Sequence, residues 1–188
     1  MATPWMLLSS RLPREPSRLR LGVWRRLKRL GAILVHDAVW ILPADAKTRE
    51  AFEWLAEEIA EQGGTAFVWE VRALDAPQDQ EIVRRFRAEA DARYAAIAAS
   101  AEAIRRGSTR GKTQPRPPAP ERARQALRQL RGLERALRLE RRRDYFRAPG
   151  RAGAEAAVRV AIETLEAHRR ATAPEPATHE RTRHALGH

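Results

Sequence analysis

The residues of this sequence with the clearest chemical potential are arginines that recur at steps of three and four between positions 121 and 146. A guanidinium group forms paired hydrogen bonds with phosphate oxygens, and each neutralised phosphate releases counterions, so such a pattern favours nucleic-acid binding. The predicted DNA contacts here are Arg124, Arg128, Arg131, Arg135, Arg138 and Arg142. The same pattern also contains Arg122, Arg141 and Arg143, and it lies opposite Leu127, Leu130, Leu133 and Leu137. The alternative interpretation is a solvated helix face that serves only solubility.

A second basic zone lies in residues 18–29, which hold five arginines and Lys28. The predicted DNA contacts of this zone are Arg18, Arg25, Arg26 and Arg29. The alternative is again a solvated face, which in this case pairs with an acidic helix further along the chain. The acidic residues of that helix are Glu50, Glu53, Glu57, Glu58 and Glu61.

Several kinds of chemistry are not supported by the sequence. The absence of cysteine excludes disulfides, thiolate zinc sites and cysteine nucleophiles. The histidines at 168, 179, 184 and 188 lack the carboxylate spacing of a built metal site, and the glycines at 107–113 lack the spacing of a phosphate-binding loop. We therefore expect no catalytic residue, no metal site and no cofactor, and we predict that the protein is not an enzyme.

The charge of the chain is uneven. Of 188 residues, 36 are lysine or arginine and 24 are aspartate or glutamate, which gives a net charge of +12. Residues 105–151 alone carry 16 basic and 4 acidic side chains. No apolar run approaches the roughly 20 residues of a membrane span, and the start of the chain lacks a signal-peptide pattern, so we expect a soluble cytoplasmic protein without a membrane partner.

The first 76 residues predict a head of two helices and four strands in the order β-α-β-β-α-β. Apolar residues at 19, 23, 27 and 30 form one helical stripe, residues 32–43 read as a hairpin, and a second helix is expected over 47–62. A further strand is expected after Gly64. This order is typical of the α+β ferredoxin-like fold, which has a four-stranded antiparallel sheet with two helices on one face.

Residues 77–172 predict an arginine-rich helical region of about three helices. These helices are expected over 82–104, 121–146 and 154–170, with a flexible loop near 107–120. Residues 173–188 are predicted to be a disordered tail. Of the five tryptophans, Trp24, Trp40 and Trp69 are predicted to be core residues, whereas Trp5 and Trp54 are placed nearer the surface, where base stacking is a minor alternative.

Several segments of the chain form a distinctive set: SSRLPREPSR at 9–18, RLGVWRRLKRLGA at 20–32 and DAVWILP at 37–43, with RFR at 85–87 and DARYA at 91–95 as a continuation. Together they resemble the N-terminal domain family of the chromate-resistance regulator ChrB. The strand, helix and DAVWILP pattern is also distantly similar to the PaaX repressor core and to a small CRISPR adaptation protein of ferredoxin-like fold. That CRISPR protein has a metal-binding aspartate after its first strand, where this chain has Ser10 and Arg11, so a nuclease site is not expected.

The resemblance implies a DNA-binding transcriptional regulator of chromate-resistance genes. It also implies a chromate-like oxyanion as effector, which would compete with DNA for guanidinium groups. Regulators of this kind usually carry a further C-terminal sensing domain, for which this chain is too short. The alternative is therefore a protein–protein adaptor, or half of a split regulator that needs a separately encoded sensing chain. A homodimer is left open. No helix-turn-helix or zinc-finger signature is present, so base-reading residues are not named.

Overall fold

The structure, a computed structural model, describes residues 3–13, 17–109 and 120–171. The elements are β1 (Pro4–Arg11), α1 (Ser17–Leu30), β2 (Ile33–His36), β3 (Val39–Pro43), α2 (Ala46–Glu61), β4 (Thr65–Arg72), α3 (Ala76–Thr109), α4 (Pro120–Arg143) and α5 (Arg151–Ala171). The predicted α+β class, with a β-α-β-β-α-β head followed by helices, is confirmed.

The four strands form one antiparallel sheet in the order β2-β3-β1-β4. Each helix of the head joins two parallel strands that are separated by a third strand, which is the ferredoxin-like arrangement predicted from the sequence. The turn between β2 and β3 passes through Asp37 at φ 45°, a left-handed conformation that aspartate tolerates better than most residues. A capping box between Asp45 and Thr48 starts α2.

Different helices pack against the two faces of the sheet. Side chains alternate along a strand, so Met6 and Leu8 lie on one face and Trp5 and Leu7 on the other. The first face is buried under α1 and α2, where Leu27 approaches Trp40. The second face is covered at one end by α3. There the rings of Trp5 and Phe86 stack with centroids 5.6 Å apart, and Asp79 accepts a hydrogen bond of 2.9 Å from the indole of Trp5.

A second core lies among α3, α4 and α5. It contains Tyr94 from α3, Leu130 and Leu137 from α4, and Val158 and Leu165 from α5, all buried. The helix α3 contributes to both cores, because Ile82, Val83 and Phe86 pack against the head. The predicted division between residues 76 and 77 coincides with the start of α3. It stays a prediction.

The predicted loop and tail are described only in part. Helix α3 ends at Thr109, so its last three residues overlap the start of the loop predicted near 107–120. Pro120 already belongs to α4, and residues 110–119 lie outside the described part of the chain. The predicted tail, 173–188, also lies outside it.

The helix predicted over 121–146 ends three residues earlier, at Arg143. Asp144 then accepts the backbone N–H of Ala148 at 2.9 Å, which closes a turn. Within this turn Tyr145 donates a hydrogen bond of 2.8 Å to the carbonyl of Leu30, and Phe146 packs against Trp5. The chain leaves the helix because these two aromatic residues, both partly buried, pack against the head core.

Three of the five tryptophan predictions were wrong. Trp5 is fully buried, whereas Trp24 and Trp69 are about half exposed. Trp40 is in the core and Trp54 is on the surface, as predicted. Among the described helices, none is long and apolar enough to cross a membrane.

Candidate nucleic-acid interface

The six predicted arginines of α4 are all exposed and lie on one side of the helix. At about 100° per residue, they fall within about 40° of a common direction, and Arg124 to Arg142 span about 27 Å of helix axis. We call this surface the α4 stripe; it consists of Arg124, Arg128, Arg131, Arg135, Arg138 and Arg142. The spacing of three and four residues therefore produces a straight row of guanidinium groups.

Packing of the opposite side of α4 fixes the direction of the stripe. Ala126, Leu130 and Leu137 are buried against α3 and α5, while Leu127 and Leu133 are partly buried at the edge of the same core. Small and branched apolar residues on one side thus leave the arginines on the side facing solvent. Rotating α4 would expose this core, so the direction of the stripe is held by the hydrophobic packing.

The stripe has no acidic partner within the described residues. No described carboxylate oxygen lies within 4 Å of a guanidinium nitrogen of these six residues. The neighbouring arginines of α4 differ, because Arg141 lies 3.6 Å from Glu155 and Arg143 donates to Glu140. Exposed arginines without a carboxylate partner among the described residues are available to phosphate oxygens.

The basic zone of α1 is partly neutralised. Arg18, Arg25 and Arg29 are exposed, but Arg26 pairs with Glu58 of α2, and Lys28 lies 2.9 Å from Glu89 of α3. The alternative interpretation, in which α1 pairs with an acidic helix, thus holds for Arg26. The assignment of all four arginines as DNA contacts stays a prediction.

The last turns of α1 and α4 are in contact. Gly31 follows α1 at φ 82°, and a Cβ atom there would lie 2.7 Å from the Cβ of Arg143. Glycine is therefore required both by the left-handed backbone and by the close approach of α4. Arg143 donates a hydrogen bond of 2.8 Å to the carbonyl of Lys28.

A chain of ion pairs closes around this contact. Lys28 pairs with Glu89, Arg93 lies between Glu89 (3.1 Å) and Glu140 (2.7 Å), and Glu140 accepts from Arg143 at 2.7 Å. Glu140 is only 1% exposed, and its buried carboxylate is paired with these two guanidinium groups. These charges join α1, α3 and α4 and have a structural role.

Four arginines also line a cavity of about 430 Å³ beside the end of the stripe: Arg138, Arg141, Arg142 and Arg151. Glu155 reduces the charge there, because it lies 3.1 Å from Arg151 as well as near Arg141. The ion pair with Glu155 raises the pKa of Arg151.

The described residues contain no group of three or more potential metal-ligating side chains. Two tyrosines near the helix contacts have altered acidity. Burial raises the pKa of Tyr145 to about 12, and burial together with the carboxylate of Asp144 raises the pKa of Tyr94 still further. Both phenols are therefore neutral hydrogen-bond donors over the physiological range.

Comparison with known proteins identifies a family for this chain. The family model described as Protein ChrB, N-terminal, matches residues 20–172, which include most of α1 and all of α4 and α5. The chain belongs to this family. Over 79 residues it is also 34% identical to Protein ChrB of Cupriavidus metallidurans. That match covers 42% of this chain and 24% of the relative, so it spans about a quarter of the length of that ChrB protein. No solved structure matches the chain.

Sequence reasoning missed one surface. Phe67 and Trp69 of β4 are 60% and 54% exposed, although Trp69 was predicted to be a core residue. The signal in the sequence was the pair of aromatic residues at a spacing of two, which places both rings on the same face of a strand. Which face α3 covers could not be read from that spacing.

Proposed function

We propose that this chain is the DNA-binding part of a cytoplasmic transcriptional regulator of chromate-resistance genes, and that the α4 stripe contacts DNA phosphates. The proposed role is binding without catalysis. The observation that carries this proposal is the row of six exposed arginines without an acidic partner among the described residues. Membership in the ChrB N-terminal family supports the biological context.

The length and charge of the stripe fit a duplex. A duplex carries one phosphate charge per about 1.7 Å of axis, so the stripe of about 27 Å extends along most of one helical turn. Contacts of this kind are independent of sequence and position the protein on the duplex, whereas base contacts give specificity. The proposal therefore assigns affinity, and not base reading, to the α4 stripe.

Fluorescence anisotropy with a labelled promoter duplex and a random duplex, measured over a series of salt concentrations, tests this proposal. We expect the variant in which Arg128, Arg131, Arg135 and Arg138 are replaced by Gln to bind at least about 100-fold more weakly at low salt. The slope of log affinity against log salt should fall by about four, because about one counterion is released per contact. Unchanged affinity would show that the stripe is not the contact surface.

A matched control removes the same charge elsewhere. Arg49, Arg72, Arg84 and Arg170 are exposed arginines of α2, β4, α3 and α5. Their joint replacement by Gln lowers the net charge equally, so it should weaken binding only through the long-range field. If both quadruple variants lose the same affinity, the net charge and not the stripe determines binding.

Chromate added to the same titration tests the regulatory part of the proposal. We expect this tetrahedral oxyanion to weaken promoter binding by competing for guanidinium groups, and sulfate at the same ionic strength is the control. Equal effects of chromate and sulfate would show that the chain binds DNA without a specific response to chromate. Absence of DNA binding would favour the adaptor interpretation.

A further inference from the structure

The second face of the sheet carries an exposed aromatic pair. Phe67 and Trp69 lie on edge strand β4, with ring centroids 6.3 Å apart. Their partners on β1 are Ser9 and Leu7, so the rings share a face with Trp5. Helix α3 buries Trp5 but leaves the two rings of β4 more than half exposed.

A groove of about 340 Å³ runs beside Phe67. Its lining includes three residues that carry hydroxyl groups, Ser9, Ser10 and Thr65, and the exposed Arg11. Asp37 also lines it, and its carboxylate lies 3.0 Å from the Nδ1 atom of His36. The patch thus combines apolar rings with a cation, one exposed carboxylate and neutral hydrogen-bond donors.

Arg11 also lines a second groove of about 350 Å³, on the side of α1. This groove contains Trp24, Trp40 and Arg20. The end of β1 therefore has a cation between two aromatic surfaces, beside the basic zone of α1. An extended polyanion that crosses this end meets positive charge on both sides.

We propose that Phe67 and Trp69 bind unpaired bases of single-stranded DNA by stacking, with Arg11 at the phosphate backbone. Every base has a π face, so stacking on exposed aromatic rings binds single strands with little sequence preference. A four-stranded sheet can present aromatic rings to two or three bases in this way. The inference concerns a surface other than the α4 stripe and does not depend on it.

A second copy of the chain fits this surface less well. An isologous dimer would bring two copies of Arg11 to one interface, and it would take the hydroxyl groups of the groove out of water without assigned partners. A single strand instead offers phosphate to the guanidinium and hydrogen-bonding base edges to the hydroxyl groups.

The test compares a labelled dT12 strand with an abasic 12-mer that has the same backbone charge. We expect wild type to bind dT12 at least tenfold more tightly than the abasic strand, since each stacked base contributes about 5- to 100-fold. The variant F67L/W69L, which keeps apolar side chains without rings, should lose this difference and retain duplex binding. The control is W54L, because Trp54 is 67% exposed but lies on the acidic face of α2.

Additional measurements distinguish a loss of stacking from a loss of folding. Circular dichroism checks that F67L/W69L is folded, and W69Y, which keeps a ring, should retain most of the preference for dT12. Equal binding of dT12 and the abasic strand by wild type overturns the proposal, as does an unaltered preference in F67L/W69L. Tighter binding of rU12 than of dT12 overturns the assignment to DNA.

Two results separate this inference from the proposed function. The α4 variant with four Gln substitutions should bind both strands more weakly but keep their ratio, because the ratio depends on the bases alone. A ratio abolished by that variant would contradict stacking on β4. Sedimentation of wild type as a dimer and of F67L/W69L as a monomer would show that the face is an interface between copies, which also overturns the proposal.

Discussion

Both basic zones are rich in arginine, but the residues around them differ. In α1, Arg26 and Lys28 pair with glutamates of α2 and α3. In α4, the six arginines of the stripe have no carboxylate within 4 Å among the described residues. The density of arginine along the chain therefore indicates where cations are, whereas the neighbouring helices decide which of them can bind a ligand.

The difference follows from how each helix is packed. Helix α1 lies beside the acidic α2 on the same face of the sheet, so its flank meets glutamate. Helix α4 packs through alanine and leucine against α3 and α5, and the six arginines of the stripe are exposed outside that contact. What distinguishes the stripe is the absence of a carboxylate within 4 Å of these six arginines among the described residues.

The largest expected effect concerns Glu140 of α4, which is buried and pairs with Arg93 of α3 and Arg143 of α4. Replacing Glu140 by Gln leaves Arg93 and Arg143 without a buried counter-charge, and we expect the free energy of unfolding to fall by about 3 kcal/mol. Urea denaturation measures this change. Glu163→Gln, on the exposed side of α5, is the control and should change stability by less than about 0.5 kcal/mol. DNA affinity of the folded E140Q protein should equal that of wild type, and a loss would place this network in the interface.

A slightly smaller effect is expected where α1 meets α4. Gly31→Ala introduces a Cβ 2.7 Å from that of Arg143 in a left-handed backbone conformation, and we expect a destabilisation of about 2 kcal/mol. Thermal unfolding measures it. Gly153→Ala, in α5, has open space around the new Cβ and should be neutral or slightly stabilising. Equal melting temperatures for G31A and wild type would contradict the close contact.

A moderate effect on binding is expected from α1. Joint replacement of Arg18, Arg25, Arg26 and Arg29 by Gln should weaken duplex binding by about tenfold, less than the α4 variant, since Arg26 already has a partner. The salt dependence of anisotropy compares the two quadruple variants. A larger loss from α1 would reverse the comparison and make α1 the main contact.

The smallest effect on duplex affinity should come from removing the ion-pair partner of one arginine. Glu58→Gln removes the partner of Arg26, and we expect duplex affinity to rise by about twofold at low salt. Glu57→Gln removes the same charge from a neighbouring exposed position and controls for net charge. If E57Q and E58Q raise affinity equally, the ion pair does not limit Arg26.

The order of elements and the apolar stripes could be predicted because both depend on local spacing. Leu19, Val23 and Leu27 are buried as their spacing indicated, and the hairpin turns at Asp37. The end of α4 could not be predicted, because Tyr145 and Phe146 find their partners in α1 and β1, more than a hundred residues earlier. The helical pattern of the sequence continues through Tyr145 and Phe146, and their distant contacts are what end the helix before them.

The candidate site could also be predicted only where it depends on local spacing. The spacing of arginines in α4 was sufficient to place six of them on one face, because 3.6 residues make a turn. Local spacing did not reveal that Glu140 is buried and also pairs with Arg93 of α3, or that β4 leaves Trp69 exposed. Both facts depend on where α3 crosses the sheet.

The 34 residues of α3 form one uninterrupted rod that enters both cores. Phe86 belongs to the head and Tyr94 to the helical core, about 12 Å further along the axis. The number of α3 residues between these two positions therefore sets the rotation of the arginine stripe relative to the sheet. One alanine inserted between those two positions would turn one core against the other by about 100°, whereas seven would nearly restore the original phase.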